Sequence, residues 1–332
     1  MARPLRLAAP DLWRGRTPAT RLLVPLSWVY LAIVRLRRLC YAHGPCRTVT
    51  FPKPVVVVGG ITVGGSGKTP LVMHVVRLLV SRGHRPGIVS RGYGGNPRRL
   101  PLVVERTTPA SECGDEPAMM AGNLDVPVVV DPNRSRGANE LISVLGCDVV
   151  VSDDGLQHYA MDRQIEIAVV GGDRPFGNGF CLPAGPLREP LSRLEEVDLV
   201  VYSGEAGPAL TGQVGYRMEI RIEGFTHLGG EGRRPAGDFT GRQVHAVAGT
   251  GHPDSFFAAL RGLGLEVQAH PFPDHHLYRR EDFAAFKGAP IVMTEKDAVK
   301  CGDIGLEDTW YATTSTHVDP GFDEKLIELL KP

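Results

Sequence analysis

The residues with the clearest chemical potential form a glycine-rich loop between an apolar strand and a helix. Residues 59–70 read GGITVGGSGKTP and follow four consecutive valines at 55–58. Glycines let backbone N–H groups turn inward around a phosphate, and the N-terminus of the helix adds partial positive charge. Lys68 is expected to reach the β- and γ-phosphates, and Thr69 to place its hydroxyl on a metal ion. The spacing therefore predicts a site for ATP with Mg²⁺.

The loop departs from the strict phosphate-loop pattern at one position. Thr62 stands where the first glycine of G-x-x-x-x-G-K-[ST] would fall. The other predicted nucleotide-binding residues of the loop are Gly64, Gly65, Ser66, Gly67, Lys68 and Thr69. The flanking strand and helix favour a nucleotide site over a simple glycine-rich turn. The segment GTG at 249–251 has only the features of an ordinary strand-to-helix turn.

Two adjacent acids follow a second apolar strand. The run at 147–152 ends in Asp153 and Asp154, where the acid that binds Mg²⁺ in a phosphate-loop enzyme is expected. Neighbouring side chains on a strand point to opposite sides, so one acid is expected to bind metal and the other to orient water or a partner. The spacing does not say which, and a solvated Asp-Gly turn is the alternative. His158 either contacts phosphate or has a local structural role.

A further acid and a histidine pair lie far apart in the chain. Asp115 stands in CGDEP before an expected helix, and its spacing alone favours an N-cap. The segment at 271–278, PFPDHHLY, places one Asp and two His on a loop between apolar segments. A carboxylate paired with a histidine can serve as a general base.

The surrounding pattern predicts α/β architecture. With 332 residues, 42% hydrophobic and 22% charged, the chain can form two packed domains. A helix is expected at 70–80, and valine- and isoleucine-rich strands are expected at 87–90, 126–130, 147–152, 165–170 and 197–202. Such runs are typical of a mostly parallel sheet buried on both faces, with helices on both sides. The fold class is therefore a phosphate-loop NTPase-like α/β core.

The later chain predicts a smaller α/β lobe. A Gly/Pro-rich passage at 204–215 and alternating residues at 216–222 suggest a hairpin connector, and further strands are expected at 265–269, 291–294 and 310–312. We predict four segments: a basic, apolar membrane-associated segment at 1–50, a phosphate-loop core at 51–215, a linker at 216–235 and a C-terminal lobe at 236–332.

The N-terminal segment is strongly basic. Residues 1–50 contain nine Arg, no Lys and one acid, a net charge of +8 in a chain whose total is zero. The uncharged run at 22–34 is shorter than the roughly 20 residues that span a bilayer. It predicts an interfacial helix with Trp28 and Tyr30 at headgroup level and arginines on anionic lipid. A buried core helix is the plainer alternative. A secretory signal does not fit the arginines that close the apolar run, and a transit peptide does not fit its continuous apolar centre.

The six cysteines indicate a reduced protein. They are scattered, without a C-x-x-C pair or zinc-type spacing. A cytosol-facing protein is the simplest expectation.

Seven motifs in order resemble one known family. GGITVGGSGKTP, SRGYGG, GDEP, DDGLQH, LPAGPLREP, FPDHHLY and TEKDAVK together resemble the tetraacyldisaccharide 4′-kinase (lipid A 4′-kinase) family, from about residue 35 to 300. The resemblance implies transfer of the ATP γ-phosphate, with Mg²⁺, to the 4′-hydroxyl of a tetraacylated glucosamine disaccharide 1-phosphate at the cytoplasmic face of the inner membrane. It also implies two α/β lobes joined by a two-stranded linker.

The resemblance assigns roles motif by motif. Asp115 resembles the catalytic base with His275 as its partner, which replaces the N-cap interpretation. Asp153 and Asp154 resemble metal and active-site acids, and Arg188 and Glu189 resemble phosphate and metal contacts, although alone they look like a surface ion pair. The substrate-side residues carried over are Arg91, Tyr93 and His158. TEKDAVK has no role that its residues reveal, and helix capping explains it as well.

Two other functions share the phosphate loop. A phosphate-loop ATPase or GTPase switch, or a metallochaperone, needs Lys68, Thr69 and Asp153 but no lipid acceptor. A nucleotide sensor at the membrane surface would bind ATP without turnover. The expected partners are a lipid disaccharide and an anionic lipid surface, with no nucleic acid and a monomeric chain.

Overall fold

The computed structural model describes residues 13, 15, 17–171, 175–204, 207, 211–212, 214–230, 232–302 and 304–331. Parts of the predicted N-terminal segment (1–12, 14 and 16) and of the Gly/Pro-rich passage (205–206, 208–210 and 213) lie outside these residues. Isolated positions of the other predicted segments, at 172–174, 231, 303 and 332, lie outside them too.

Strands and helices alternate along most of the chain. The strands are β1 Val55–Gly59, β2 Pro86–Ser90, β3 Leu102–Val104, β4 Val128–Val130, β5 Val149–Asp153, β6 Ile165–Gly171, β7 Leu199–Ser203, β8 Tyr216–His227, β9 Arg233–Pro235, β10 Gln243–Ala248, β11 Glu266–Pro271, β12 Ile291–Thr294 and β13 Thr309–Val318. The described α-helices are α1 Pro18–Ala42, α2 Lys68–Ser81, α3 Ala110–Cys113, α4 Asp115–Asn123, α5 Arg134–Ser143, α6 Pro253–Gly262, α7 Glu295–Ala298 and α8 Pro320–Leu330. Short 3₁₀ turns lie at Leu191–Glu195, Ala236–Phe239 and Arg280–Phe283.

The chain forms two compact units, each built from separate stretches of sequence. The first unit comprises Met1–Lys68, Ser152–Met218 and Val318–Pro332, and the second comprises Thr69–Val151 and Glu219–His317. The division predicted from the sequence consists of four continuous segments, and it stays a prediction.

The first unit holds parallel strands around the phosphate loop. β1 pairs with β6, β6 with β7, and β7 with the first residues of β8, all parallel. Every residue of β1 is buried. A strand buried on both faces explains the unbroken valine run, because neither side of the strand meets water.

The second unit contains two groups of parallel strands. β2 pairs with β4 in parallel, and β3 closes that edge antiparallel to β4. β10 lies between β11 and β12, and β12 pairs with β13, again all parallel. The antiparallel pair of β8 and β9 supplies the predicted hairpin. The prediction of a mostly parallel α/β fold is thus confirmed.

Alternating residues of β10 and β12 pack into two different hydrophobic clusters. Val292 packs with Phe225, Phe239 and Trp310 in one cluster. Its neighbours Ile291 and Met293 belong to the other cluster, together with Tyr278, Phe283 and Cys301. Because strand side chains alternate in direction, the strands of this group have a hydrophobic core on each face.

The N-terminal helix α1 has one docked face and one exposed face. Thr17 caps it by accepting a hydrogen bond from the N–H of Thr20 at 3.2 Å, and Pro18 occupies the first turn. Leu22, Leu26 and Ile33 are 81%, 56% and 60% exposed, so the alternative of a buried core helix is wrong. Among the described residues, no helix is both long enough and apolar enough to cross a bilayer.

The aromatic packing in the second unit yields a test of stability. Phe225 is completely buried, and its ring centroid lies 4.5 Å from that of Phe239. We expect Phe225→Ala to lower the free energy of unfolding by about 3–5 kcal/mol, because the cavity cannot close fully. Urea unfolding followed by fluorescence measures this loss. Val144→Ala, at a side chain 68% exposed, is the control and should change stability by less than about 0.5 kcal/mol. A loss of similar size in both variants would contradict this packing.

Candidate active site

The phosphate loop in the first unit requires glycine at several positions. Gly64 and Gly67 adopt φ values of +111° and +84°, in the left-handed region that other residues rarely enter. A Cβ atom on Gly67 would lie 3.0 Å from Cε of Met218. Gly65 has open space around it, and Ser66 is buried with no hydrogen-bond partner for Oγ among the described residues. The loop therefore depends on glycine at two positions, Gly64 and Gly67, and its phosphate-binding role stays a prediction.

A second segment pairs with this loop and brings in an arginine. Thr62 and Leu187 form an antiparallel bridge, and the N–H of Arg188 donates to the carbonyl of Ile61 at 2.7 Å. The N–H of Val63 donates to the carbonyl of Pro186 at 2.9 Å. Thr62, where a first glycine was expected, thus serves as the pairing position for the segment that carries Arg188.

Two positively charged side chains of the first unit, Lys68 and Arg188, converge on Asp154. Nη1 of Arg188 donates to Oδ2 of Asp154 at 2.8 Å, and Nζ of Lys68 lies 3.8 Å from Oδ1. Nζ of Lys68 also donates to the carbonyl of Gly64 at 3.1 Å. Asp154 adopts φ +46°, an unusual backbone conformation that functional sites often contain. Two positively charged side chains and a carboxylate beside a glycine-rich loop are suited to bind a nucleoside triphosphate.

The two adjacent acids differ in exposure. Asp153 ends β5 and is 2% exposed, whereas the side chain of Asp154 is 27% exposed. His158 lies in the turn that follows, with its N–H donating to the carbonyl of Gly155 at 2.8 Å. The two acids therefore lie in different environments, and the division of roles between them stays a prediction.

Glu189 is held in a buried polar network. It is fully buried and accepts hydrogen bonds from Nε2 of Gln157 at 2.7 Å and from the hydroxyl of Tyr159, while Arg193 lies 3.6 Å away. Burial and the Glu189 carboxylate raise the pKa of Tyr159, which keeps its phenol a donor. The alternative of a surface ion pair between Arg188 and Glu189 is wrong, because Arg188 bonds Asp154 instead.

Helix α1 fixes the segment that carries Arg188. Oγ of Ser27 donates to the carbonyl of Cys181 at 2.8 Å and accepts from the N–H of Ala184 at 3.0 Å. The hydroxyl of Tyr30 donates to the carbonyl of Arg188 at 3.0 Å. Tyr30 therefore supports the backbone of a predicted phosphate-contacting residue, a role that its position in an apolar run did not reveal.

The second unit joins Asp115 and His275. Nδ1 of His275 lies 3.0 Å from Oδ2 of Asp115, and the side chain of Asp115 is 8% exposed. Asp115 is the first residue of α4, and Gly114 occupies the cap without a side-chain hydrogen bond, so the N-cap interpretation is wrong. His275 adopts φ +60°, a second left-handed residue among the predicted catalytic groups. A carboxylate bonded to an imidazole can accept a proton from a hydroxyl group.

Charges around Asp115 favour its ionised form. Burial raises the pKa of Asp115, but the hydrogen bond from His275 and the positive charge of Lys300 outweigh burial and bring the pKa below its usual value. Nζ of Lys300 lies 3.5 Å from Oδ2 of Asp115. Asp115 is thus ionised at neutral pH.

The predicted substrate residues surround this pair unevenly. The ring of Tyr93 lies 4.8 Å from the ring of His275, and Tyr93 is 66% exposed. Gly94, at φ +82°, would place a Cβ atom 3.6 Å from Nδ1 of His275. Arg91 is exposed to solvent. The SRGYGG segment thus reaches the Asp115 pair through Tyr93 and Gly94.

The donors present suit Mg²⁺, although side chains alone do not form a complete metal cage. In the first unit, the carboxylates of Asp153 and Asp154 are hard oxygen donors, which Mg²⁺ prefers. Within the described part of the chain, no group of three or more His, Cys, Asp or Glu side chains is arranged to hold a metal. Mg²⁺ in nucleotide enzymes is commonly held by one or two carboxylates together with substrate phosphates, so the donor set fits.

Comparison with known proteins decides the family. A family model described as tetraacyldisaccharide-1-P 4′-kinase matches residues 19–331. The chain belongs to this family. The resemblance inferred from the seven motifs is therefore confirmed.

Relatives and a solved structure of the tetraacyldisaccharide 4′-kinase family cover nearly the whole chain. The tetraacyldisaccharide 4′-kinase of Alkalilimnicola ehrlichii is 47% identical over 319 residues, covering 96% of this chain and 95% of the relative. That of Methylobacillus flagellatus is 44% identical, covering 96% and 94%. The crystal structure of LpxK from Aquifex aeolicus in complex with ATP matches with a TM-score of 0.76 and 29% identity, covering 94% of this chain and all of that one.

The sequence alone does not indicate several residues that contact the candidate site. Gln157 bonds the carbonyl of Gly60 at 3.1 Å as well as Glu189 and lies 3.3 Å from Arg188. Its signal was its place three residues after Asp154 in DDGLQH. The sequence assigns no role to Asp297 and Lys300 of TEKDAVK, although both lie near Asp115 or its partners. Amide and lysine side chains carry little information until their partners are known.

Gly249 gives a test of the second-unit site. A Cβ atom there would lie 2.7 Å from the Tyr278 hydroxyl and 2.9 Å from Oδ1 of Asp297, so this turn is tighter than an ordinary one. We expect Gly249→Ala to destabilise the protein by about 1–3 kcal/mol, by overpacking, in urea unfolding. Gly262→Ala is the control, because nothing lies within 4 Å and alanine favours a helix. Equal stability of the two variants would refute the close approach at Gly249.

Proposed function

We propose that this chain transfers the γ-phosphoryl group of ATP to the 4′-hydroxyl of a tetraacylated glucosamine disaccharide 1-phosphate, the reaction named for its relatives. The observation that carries the proposal beyond ATP binding is the Asp115–His275 pair at 3.0 Å. A nucleotide switch has no acceptor hydroxyl to deprotonate, whereas a kinase benefits from a base beside its acceptor.

Each side chain has one part in the proposed reaction. The acceptor oxygen forms a bond to the γ-phosphorus, the bond from that phosphorus to the bridging oxygen of ADP breaks, and the acceptor proton passes to Asp115. His275 orients the Asp115 carboxylate through Nδ1. Lys68 and Arg188 neutralise negative charge on the phosphates, and the loop from Gly64 to Thr69 holds them through backbone N–H groups.

The metal site follows from the donor set. Asp153 and Thr69 would hold Mg²⁺, Asp154 would orient Arg188 and Lys68, and Glu189, which the resemblance assigns to the metal, would support this set through Gln157. Bound Mg²⁺ supplies charge neutralisation on the phosphate oxygens. Arg91, Tyr93 and His158 are proposed to contact the substrates.

The kinase proposal is tested by transfer of labelled γ-phosphate to the disaccharide in detergent micelles. We expect Asp115→Asn to reduce kcat by about 10²–10⁴-fold because the base is lost. Lys68→Ala should reduce phosphate transfer strongly because a phosphate-binding charge is lost. Asp125→Asn, at a fully exposed carboxylate, is the control and should match the wild type. ATP hydrolysis by the wild type without labelled lipid would instead favour the ATPase switch.

We further propose that helix α1 attaches the enzyme to the cytoplasmic face of the inner membrane. Leu22, Leu26, Val29, Ile33 and Leu36 repeat at intervals of three or four, and all are at least 56% exposed. That spacing places them on one face of the helix, opposite the docked Ser27. The arginine-rich segment around them complements anionic headgroups.

Vesicle binding tests the membrane proposal. We expect Leu26→Glu to lower partition onto vesicles that contain anionic lipid by about tenfold or more, because a side chain worth about 1.5–3 kcal/mol in apolar surroundings becomes charged. ATP binding should stay unchanged. Val80→Glu, at a side chain 50% exposed in α2, is the matched control and should leave partition unaltered. Unchanged partition of Leu26→Glu would refute attachment through this face.

A further inference from the structure

Lys300, the last residue of TEKDAVK, has a buried side chain. Burial of its positive charge costs free energy unless the charge is paired. The side chain of Lys300 is 3% exposed, and its Nζ lies 3.0 Å from Oδ1 of Asp297 and 3.5 Å from Oδ2 of Asp115. Nζ also lies 5.0 Å from the centre of the Tyr278 ring. A buried ammonium group is retained only with such partners. Lys300 therefore bridges a structural carboxylate and the carboxylate of the proposed base.

Asp297 is fixed from several sides, so it can hold Lys300 in place. It is fully buried and accepts hydrogen bonds from the N–H of Gly249 at 2.9 Å and from the hydroxyl of Thr294 at 2.6 Å. Thr294, rather than Asp297, caps α7. The carboxylate of Asp297 is thus available for Lys300, which follows it by three residues on the same side of the turn.

Helix α7 is also anchored to the helix that begins at Asp115. Nδ2 of Asn123, in α4, donates to Oε1 of Glu295 at 2.8 Å. Nζ of Lys296 lies 3.7 Å from Oε1 of Glu116 and 3.0 Å from Oδ1 of Asp274. These contacts at both ends of α4 fix the distance between Lys300 and Asp115.

We propose that Lys300, held by Asp297, is a positioning residue that keeps the Asp115 carboxylate charged and oriented beside His275. The inference rests on the proposed function, because it assigns to Asp115 the role of base. It gives TEKDAVK a task in the reaction, and it explains the need for glycine at position 249.

Other charged groups near Asp115 do not replace Lys300. Lys296 has the same charge, but it is engaged by two acids of its own. Oδ2 of Asp274 lies 3.7 Å from Nε2 of His275, on the far side of the ring. The charged or titratable groups that act on Asp115 are His275, Lys300 and Lys296, and Asp115 in turn acts on Cys113 and Tyr278. Apart from His275, the positively charged group of this set that lies within 4 Å of the Asp115 carboxylate is Lys300.

The test is the pH dependence of kcat/KM for the lipid acceptor. A base must be ionised, so activity is lost as the pH falls through the pKa of Asp115. Removal of the Lys300 charge raises that pKa. The acidic side of the pH profile of kcat/KM, called the acidic limb, should therefore move to higher pH by roughly one unit or more in Lys300→Gln. Gln retains a donor for Asp297. Lys300→Arg, which keeps the charge, should restore the limb toward that of the wild type.

Lys296→Gln is the matched control for loss of one lysine charge in the same TEKDAVK segment. Its limb should move less than that of Lys300→Gln. If Lys300→Gln lowers kcat/KM equally at every pH, or if both Gln variants move the limb equally, the proposal is overturned. If Lys300→Gln does not fold, Lys300→Met is measured in its place, with the same expected shift. If the wild type transfers no phosphate, the proposed function itself is refuted. If the wild type is active and only the pH shift is missing, the proposal for Lys300 alone is refuted.

Discussion

The need to keep a largely buried carboxylate ionised governs the second unit. Asp115 is only 8% exposed, and burial opposes its charge. His275 and Lys300 compensate, and both come from segments remote in sequence, which must therefore be fixed precisely with respect to α4. The tight turn at Gly249, the cap at Thr294 and the contact between Asn123 and Glu295 all serve this placement.

In the first unit, backbone pairing positions a charged side chain, Arg188. Arg188 must be held against Asp154 next to a loop that leaves its own N–H groups for phosphate. Pairing of Leu187 with Thr62 achieves this without using the glycines from Gly64 to Gly67. Gln157 and the buried Glu189 reinforce the arrangement, since each polar atom in such a network is costly without a partner. Helix α1 adds a support through Tyr30.

Much of the fold and part of the site could be predicted because their signals are local. The valine runs, the glycines of the phosphate loop and the helix from Lys68 depend on neighbouring residues, and they agree with the structure to within a few positions. Strand ends were less certain, as at β13, which runs to Val318. The local N-cap interpretation of Asp115 was wrong, because the same residue type serves two tasks and spacing cannot separate them.

By itself, the sequence determined the parallel α/β architecture, the phosphate loop, the paired acids at the end of β5 and, through seven ordered motifs, the family. Only the tertiary structure decided that Asp115 meets His275 across 160 positions, that Tyr30 supports Arg188 across 158, and that Lys300 faces Asp115. The physical reason is range. Backbone conformation and strand burial follow from residues a few positions apart, whereas ion pairs and shared hydrogen bonds depend on which distant segments the folded core brings together.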